Sequence, residues 1–306
     1  MKQNQHNNIR PHYLKQNDTI GLVAPASALP SGVLEKAVSL FQSWGLNVVK
    51  GSHIENNKGS YSASDKERAR DVQQFVDNPN IKAIISLRGG YGSIRIVEYI
   101  DFIGMIKNPK WLVGFSDITV LHSILNSRMG LESLHATMPI DFIDTENEST
   151  LSLKEALFGQ LTNYSIAPNH FNIEGKASGK LIGGNLSILQ SIAGTFCDIN
   201  PENNVLFIED IGEPAYNIDR MMMNLVCSGK LSQISALIVG SFTNIKGEKE
   251  FGKTAYDIIC EHVSKFNIPA IFGFPAGHSE INKAMYFGRE IEIQVEKDKV
   301  TVSYTI

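Results

Sequence analysis

Short apolar runs alternate with amphipathic segments in the first half of this chain. The run at residues 19–27 is closed by a proline and a serine, and it is typical of a strand buried on both faces of a parallel sheet. Apolar residues then recur at helical spacing through residues 32–44, and a glycine ends that segment before the apolar run at residues 46–49. The three segments predict one strand–helix–strand unit.

The same alternation continues up to Ser116. Amphipathic segments at residues 65–76 and 93–100 predict helices, whereas the apolar runs at residues 81–87 and just before Ser116 predict strands. Such a series predicts a doubly wound α/β domain with a parallel sheet. Ligands of these sheets bind beyond the carboxyl ends of the strands, which is where Ser116 falls.

The pattern weakens into polar sequence between residues 141 and 176, and we place a domain boundary there. A second set of strands and helices follows, and the alternating segments at residues 290–295 and 300–304 predict a terminal hairpin. We therefore predict an N-terminal domain at residues 19–165 and a C-terminal domain at residues 176–306. The polar tail at residues 1–18 is expected to be disordered.

Ser116 lies at a corner between a predicted strand and a predicted helix, in Gly114-Phe-Ser-Asp117. A sharp turn of this kind exposes a side chain next to the free N–H groups of a helix start, so Ser116 is a candidate nucleophile. Ser116 and Asp117 are equally suited to capping that helix. The corner alone leaves both interpretations open.

A serine nucleophile needs a base and an acid that orients the base. Of eight histidines, His278 is the one in a rigid Gly/Pro loop that follows a predicted strand. Glu209 follows the apolar run at residues 205–208 and could accept the Nδ1–H of an imidazole. Asp210 and Glu213 stand beside it, and the pattern does not separate the three acids.

Composition and charge narrow the class of protein. Of the 306 residues, 42% are hydrophobic and 20% are charged, which is typical of a globular protein with one or two cores. The formal net charge of −4 provides no broad positive field, so nucleic acid is not an expected partner. Three widely separated cysteines indicate reduced thiols and no structural disulfide.

The sequence lacks the signals of secreted and membrane proteins and of metal and nucleotide sites. The first residues have no apolar core like that of a signal peptide, and no segment is long enough to cross a bilayer, so we expect a cytoplasmic protein without membrane contact. No paired histidines or cysteines have metal-ligand spacing, and the glycine-rich loops lack the Lys-Ser/Thr of a nucleotide site. We expect neither a metal nor a cofactor.

Five motifs, in this order along the chain, resemble the LD-carboxypeptidase family of serine peptidases. They are Arg88-Gly-Gly-Tyr-Gly92, Gly114-Phe-Ser-Asp117, Gly183-Gly-Asn-Leu186, Ile208-Glu-Asp-Ile-Gly-Glu-Pro-Ala-Tyr216 with Asp219-Arg220, and Gly277-His278. The resemblance implies a flavodoxin-like N-terminal domain and a smaller β-rich C-terminal domain. It also implies a homodimer.

The resemblance assigns roles to individual residues. It implies a Ser-His-Glu triad of Ser116 as nucleophile, His278 as base and Glu209 as orienting acid. It places the oxyanion hole at the main-chain N–H groups of Gly90 and Asp117, so that the N–H of Asp117, and not its carboxylate, is expected to act.

Two residues of the first motif could bind substrate. Arg88 and Tyr91 could border the cleft and meet the carboxylate of the substrate. Arg88 could equally be a structural partner of a nearby acid.

The implied activity is L,D-carboxypeptidase cleavage that releases the terminal D-alanine from cytoplasmic murein tetrapeptides during wall recycling. A related branch, the microcin C immunity peptidases, instead hydrolyses conjugates that resemble aminoacyl-nucleotides. A third alternative is a non-catalytic α/β ligand-binding or sensor protein, because a fold does not by itself imply an activity.

Overall fold

The computed structural model describes residues 8–142, 147–161 and 163–305. The chain forms two compact units. The first consists of Met1–Leu161 and Lys283–Tyr286, and the second of Thr162–Asn282 and Phe287–Ile306. Within the described ranges, no helix is long and apolar enough to cross a membrane.

The elements follow the predicted alternation through most of the chain. The strands are β1 (Thr19–Val23), β2 (Asn47–Lys50), β3 (Ile81–Ser86), β4 (Trp111–Gly114), β5 (Ser133–His135), β6 (Asn163–Ile166), β7 (Gly175–Asn185), β8 (Val205–Ile211), β9 (Ala236–Thr243), β10 (Ala270–Phe272), β11 (Met285–Phe287), β12 (Glu290–Val295) and β13 (Val300–Tyr304). The helices are α1 (Val33–Ser43), α2 (Asp65–Asp77), α3 (Ile103–Lys107), α4 (Thr119–Met129), α5 (Glu148–Leu157), α6 (Leu186–Ser191), α7 (Ala215–Cys227), α8 (Glu248–Phe251) and α9 (Ala255–Val263).

The sheet of the first unit has the strand order β2-β1-β3-β4-β5-β11. Strands β1 to β5 pair in parallel, and the order 2-1-3-4-5 is that of flavodoxin-like folds. β4 is buried at every residue, and β1 at every residue after Thr19, as expected for apolar strands with both faces covered. The predicted fold of the first domain is confirmed.

The helix predicted at residues 93–100 is wrong. The chain there forms two short 3₁₀ helices, Ser93–Arg95 and Val97–Tyr99. Two of its apolar residues are nevertheless buried, since Ile96 and Val97 are at most 4% exposed. 3₁₀ turns are frequent in short connections between larger elements, and this segment connects β3 to α3.

The N-terminal segment is ordered from residue 8 onward, contrary to expectation. Ile9 bridges to Leu131, Leu14 is 3% exposed, and the Trp111 indole donates a hydrogen bond of 3.0 Å to the His12 carbonyl. The apolar side chains scattered through this polar stretch account for its packing. Residues 1–7 of the predicted tail lie outside the described residues.

The second unit is built on a mixed sheet with the order β10-β9-β8-β7-β12-β13-β6. β7 to β10 pair in parallel, whereas β12 and β13 pair antiparallel with each other and with their other neighbours. The predicted hairpin is therefore present. The β-rich α/β class predicted for the second domain is confirmed as well.

One part of the predicted C-terminal domain lies in the first unit. Lys283–Tyr286 belongs to it, and β11 forms the edge of its sheet. The Tyr286 hydroxyl donates to the carbonyl of Ala156 at 2.6 Å, and the N–H of Ala284 donates to the Ser152 hydroxyl at 2.9 Å. These partners are about 130 residues away in sequence, so no local pattern indicates them.

Candidate active site

Ser116 directly follows the corner after β4. Its φ is 61°, and of the six non-glycine residues with positive φ in the described part of the chain, the other five are asparagines. Asparagine tolerates this left-handed conformation much better than serine does. The main chain at Ser116 is therefore strained, and such strain concentrates at functional corners between a strand and a helix.

A buried histidine supports this corner. His122 on α4 is 0% exposed, and its Nε2 lies 2.8 Å from the Gly114 carbonyl while its Nδ1 lies 2.8 Å from the Ser133 hydroxyl. Burial lowers the pKa of His122 to about 4, although the bond to Gly114 raises it slightly, so the ring is neutral at physiological pH. Because a carbonyl only accepts, Nε2 carries the proton and donates to Gly114.

The glycine-rich loop after β3 passes close to Ser116. A Cβ placed on Gly89 would lie 3.0 Å from the Ser116 Cβ and 3.2 Å from its Oγ. Gly90 has a φ of 96°, and a Cβ there would lie 2.3 Å from the Ser27 hydroxyl. Only glycine lets the main chain of this loop approach both serines so closely.

The structure places Arg88 and Tyr91 in the same loop. The Arg88 guanidinium donates a hydrogen bond to the carbonyl of Ala28, so its observed partner is a main-chain oxygen and not an acid. Tyr91 is 53% exposed, and its ring lies 6.0 Å from that of Tyr61. Their substrate-binding role stays a prediction.

Asp117 turns its carboxylate into the protein. It is 1% exposed, and its Oδ2 accepts a 2.7 Å hydrogen bond from the N–H of Ser93. Burial raises the pKa of this carboxyl, against the lowering effect of the hydrogen bonds from Ser93. The carboxylate therefore holds the neighbouring loop at Ser93, whereas the main chain of Asp117 stays at the corner beside Ser116.

Glu209 and His278 meet in the second unit. Glu209 lies in β8 and is 0% exposed, and its Oε2 is 2.7 Å from Nδ1 of His278. The same oxygen accepts a 3.2 Å hydrogen bond from the main-chain N–H of His278. In the tautomer with Nδ1 as donor to the carboxylate, Nε2 is the basic nitrogen of the ring.

The loop that carries His278 is fixed at several points. The Thr243 hydroxyl donates a 2.6 Å hydrogen bond to the His278 carbonyl, and the Gly277 N–H donates a 2.9 Å bond to the Asn282 side chain. Gly277 has a φ of 111°, and a Cβ there would lie 2.7 Å from the Glu209 Cβ. A glycine at this position is what allows the imidazole to reach the carboxylate.

The structure separates the three acids that the sequence could not. Asp210 is buried and accepts a 2.8 Å hydrogen bond from the N–H of Ser187 at the start of α6. Burial and the charge of Glu209 raise its pKa to about 7. Glu213 accepts from the Asn217 side chain at 2.9 Å. Of the three, Glu209 alone contacts His278.

The predicted site residues thus fall into two sets. The first unit holds Ser116, Gly90, Asp117, Arg88 and Tyr91, and the second holds the bonded pair Glu209 and His278. Across the residues that the structure describes, no group of three or more His, Cys, Asp or Glu side chains could hold a metal ion.

Three supporting residues carry no role in the sequence motifs. They are Ser27, Thr243 and Arg68. The Ser27 hydroxyl accepts a hydrogen bond from the Tyr91 N–H at 3.1 Å. Ser27 closes the first apolar run, and that position at the carboxyl edge of the sheet was the available signal. Thr243 and Arg68 lie in ordinary strand and helix sequence, which carries no such signal.

Comparison with known proteins covers most of the chain. Residues 20–136 match the LD-carboxypeptidase N-terminal domain, and residues 178–293 match the LD-carboxypeptidase C-terminal domain. The chain is 33% identical over 287 residues to a probable murein peptide carboxypeptidase of Bacillus subtilis, covering 92% of this chain and 90% of that protein. It is 26% identical to the microcin C7 self-immunity protein MccF of Escherichia coli, over 95% and 94% of the two chains.

Solved structures show the same two-domain fold. The crystal structure of a muramoyltetrapeptide carboxypeptidase from Oxalobacter formigenes superposes with a TM-score of 0.83 at 27% identity, covering 94% of this chain and 99% of that one. Both domain matches and the relative at 33% identity point to one family. The chain therefore belongs to the LD-carboxypeptidase family and is a serine-type carboxypeptidase.

Proposed function

We propose that this protein is an L,D-carboxypeptidase that releases the terminal D-alanine from murein tetrapeptides by a Ser-His-Glu triad. The observation that carries the proposal is the buried carboxylate of Glu209, 2.7 Å from Nδ1 of His278. This pairing leaves Nε2 as the proton acceptor that a serine nucleophile requires. The names of the relatives in Bacillus subtilis and Oxalobacter formigenes support the substrate class.

In the proposed reaction, Nε2 of His278 takes the proton of the Ser116 hydroxyl as its oxygen attacks the carbonyl carbon of the scissile amide. The Glu209 carboxylate stabilises the imidazolium that forms. His278 then gives the proton to the departing nitrogen of D-alanine, and an ester to Ser116 remains. Water, deprotonated by His278, hydrolyses the ester and restores the serine.

The N–H groups of Gly90 and Asp117 bind the oxyanion in this proposal. No other residue in the described ranges accepts a hydrogen bond from the Gly90 N–H, so this donor is available to a ligand. Donors already aligned before the reaction stabilise the developing charge without reorganisation. Removing one such donor typically costs about 10²- to 10³-fold in kcat.

The test is release of D-alanine from a murein tetrapeptide by Ser116→Ala. We expect kcat to fall about 10⁴- to 10⁶-fold, since other serine hydrolases lose activity by a factor of this order when their nucleophile is removed. Ser43→Ala, which removes an exposed helix serine, is the matched control and should be unaffected. Turnover by Ser116→Ala at the wild-type rate would refute the mechanism.

The relative MccF gives a second candidate substrate class. An aminoacyl-nucleotide conjugate also contains an amide-like bond that the same triad could attack, and 26% identity over nearly the full chain favours testing it. The two values of kcat/KM, measured side by side, decide between the branches. A higher value for the conjugate would assign this chain to the immunity-type branch.

We also propose that the protein acts in the cytoplasm as a homodimer, as its family resemblance implies. Sedimentation equilibrium would show twice the mass of 33.8 kDa if this is right. A single species at the monomer mass, at the concentrations used for activity, would contradict it.

A further inference from the structure

One peptide unit in the glycine-rich loop is held at both ends by buried charged side chains. The carbonyl of Gly92 accepts a 3.0 Å hydrogen bond from Nη1 of Arg68. The N–H of Ser93, which belongs to the same peptide unit, donates a 2.7 Å hydrogen bond to Oδ2 of Asp117. A cation therefore contacts the oxygen, and a carboxylate contacts the nitrogen, of one peptide group.

Both charged groups are almost fully buried. Arg68 is 2% exposed and Asp117 is 1% exposed. Buried charges are costly unless they are paired and hydrogen-bonded, and the peptide dipole between these two is aligned to stabilise both. The positive charge of Arg68 also acts to lower the pKa of Asp117 against the raising effect of burial.

Arg68 holds two further loops at the same edge of the sheet. Its guanidinium donates to the carbonyl of Pro25, which follows β1, and to that of Ala63, which precedes α2. Its Nη2 pairs with Asp65, and Asp65 in turn pairs with the partly exposed Arg95. The side chain thus ties together the loops that border the glycine-rich segment.

The clamped peptide lies two residues from Gly90. Ser27 bonds to the main chain on both sides of Gly90, since its N–H donates to the Gly89 carbonyl at 3.2 Å and its hydroxyl accepts from the Tyr91 N–H at 3.1 Å. Gly90 itself has a φ of 96° and no side chain to set its direction. The Gly89 carbonyl and the Gly90 N–H belong to one planar peptide unit, so the direction of this N–H depends on the Ser27 bond and on where the clamped peptide holds the loop that follows.

We propose that Arg68 and the carboxylate of Asp117 are positioning residues for the oxyanion hole, and that they act as a pair through the Gly92–Ser93 peptide. The inference rests on the proposed function, because it assumes that the Gly90 N–H binds the oxyanion. Asp117 then has two separate roles, with its N–H at the oxyanion and its carboxylate on the loop.

A double-mutant cycle tests the pair. The variants are Arg68→Met, Asp117→Asn and the double variant, with Arg95→Gln as the matched control, because it removes the other arginine on Asp65 and leaves the clamped peptide intact. Each variant is studied in two assays. The first gives kcat and KM for D-alanine release, and the second gives the rate of Ser116 phosphonylation by a fluorophosphonate. The final stoichiometry of the label counts the intact sites, so a loss of folded protein is corrected for.

We expect Arg68→Met to lower kcat per intact site about 10- to 100-fold with KM within about threefold, because misplacing a donor by about an ångström costs rate more than binding. Asp117→Asn should lose about 10-fold, and both should slow phosphonylation in proportion. The double variant should be little worse than Arg68→Met, since residues that act through one element are not additive. Arg95→Gln should stay within about twofold.

Three results would overturn the inference. They are losses that multiply in the double variant, a rise in KM with kcat per site preserved, or an equal loss in Arg95→Gln. If Arg68→Met does not fold, Arg68→Lys replaces it in the cycle, because it keeps one donor and the charge.

The outcomes for the wild-type protein separate this inference from the proposed function. A protein that is phosphonylated but does not release D-alanine would refute the substrate, and the cycle would then be decided on phosphonylation rates. A wild-type protein that is not phosphonylated at Ser116 would overturn both.

Discussion

Ser116 and His278 both follow the carboxyl end of a parallel strand, yet the protein holds them in different ways. Ser116 is placed by its main chain, with a φ of 61° at the corner after β4. His278 is placed by hydrogen bonds, with Glu209 on its Nδ1 and its N–H, and Thr243 on its carbonyl. The backbone conformation positions Ser116, whereas hydrogen bonds to polar partners position His278.

The difference fits what each side chain does in the proposed mechanism. A serine hydroxyl has one rotatable bond, so the direction of its Cα–Cβ bond largely determines where the oxygen lies, and this direction is set by the backbone. An imidazole must also keep one tautomer and receive a positive charge, and no backbone conformation provides that. A buried carboxylate does, provided the imidazole is held against it.

Among variants that keep Ser116, the greatest loss of activity should come from the hydrogen-bonded partner of His278. Glu209→Gln should lower kcat about 10³- to 10⁴-fold, because an amide neither holds the tautomer nor balances the imidazolium. The assay is D-alanine release from a murein tetrapeptide, and Glu213→Gln in the following loop is the matched control. If Glu209→Gln keeps as much activity as Glu213→Gln, the buried carboxylate is not what positions His278.

Gly277→Ala should rank second. A Cβ there would lie 2.6 Å from the Ser241 hydroxyl and 2.7 Å from the Glu209 Cβ, at a φ of 111°. We expect the variant to lose about 2 to 4 kcal/mol in the free energy of unfolding, and most of its activity.

Gly252→Ala separates the two causes in that variant. Gly252 has a φ of 76°, and a Cβ added there would meet no atom within 4 Å, so alanine should cost only about 1 kcal/mol. Urea unfolding measures both variants. Equal losses would mean that backbone conformation, and not the clash with Glu209, determines the cost at Gly277.

The neighbouring acid should produce a smaller effect that depends on pH. Asp210 has a pKa of about 7 in the folded protein, chiefly because of burial, and an ordinary value near 3.8 when unfolded. The folded protein therefore binds a proton that the unfolded chain has lost between these values, and wild-type stability falls as pH rises through this window.

Asp210→Asn removes this titration. The difference in free energy of unfolding between Asp210→Asn and wild type should increase by about 2 kcal/mol in favour of the variant from pH 5 to pH 7. Urea unfolding at each pH measures this difference. Glu213→Gln is the control on the same loop. A difference between wild type and Asp210→Asn that is constant with pH would show that Asp210 is ionised throughout this range.

The smallest change in stability should come from the backbone conformation at Ser116. Ser116→Gly and Ser116→Ala both lack the proposed nucleophile, but glycine adopts a φ of 61° without penalty. We expect the glycine variant to be more stable than the alanine variant by about 1 kcal/mol in urea unfolding. Equal stabilities would mean that the corner stores no strain.

Much of the fold was predictable because its signals are local. The alternation of apolar runs and amphipathic segments predicted β1, α1, β2, α2 and β3 within a few residues of their ends. Ser116 and His278 stood out by their positions at a strand end and in a Gly/Pro loop. The family motifs then joined them to Glu209.

Other features depend on partners far away in sequence. Nothing near β11 indicates that it joins the first sheet, because its contacts lie about 130 residues away. Residues 93–100 have a helical pattern but form two 3₁₀ helices, and the partner of the Ser93 N–H, Asp117, lies 24 residues away in sequence.

Periodicity and turn residues act over a few positions, so the amino-acid order was enough to establish two α/β domains and the candidates for nucleophile, base and acid. Folding was needed to select the acid that meets His278 and to turn the carboxylate of Asp117 toward Ser93. Adjacent side chains on a strand point to opposite faces, so Glu209 and Asp210 are equivalent in sequence but have different neighbours in space. The strain at Ser116 is likewise a property of the folded corner, since the unfolded chain has no reason to adopt a positive φ there.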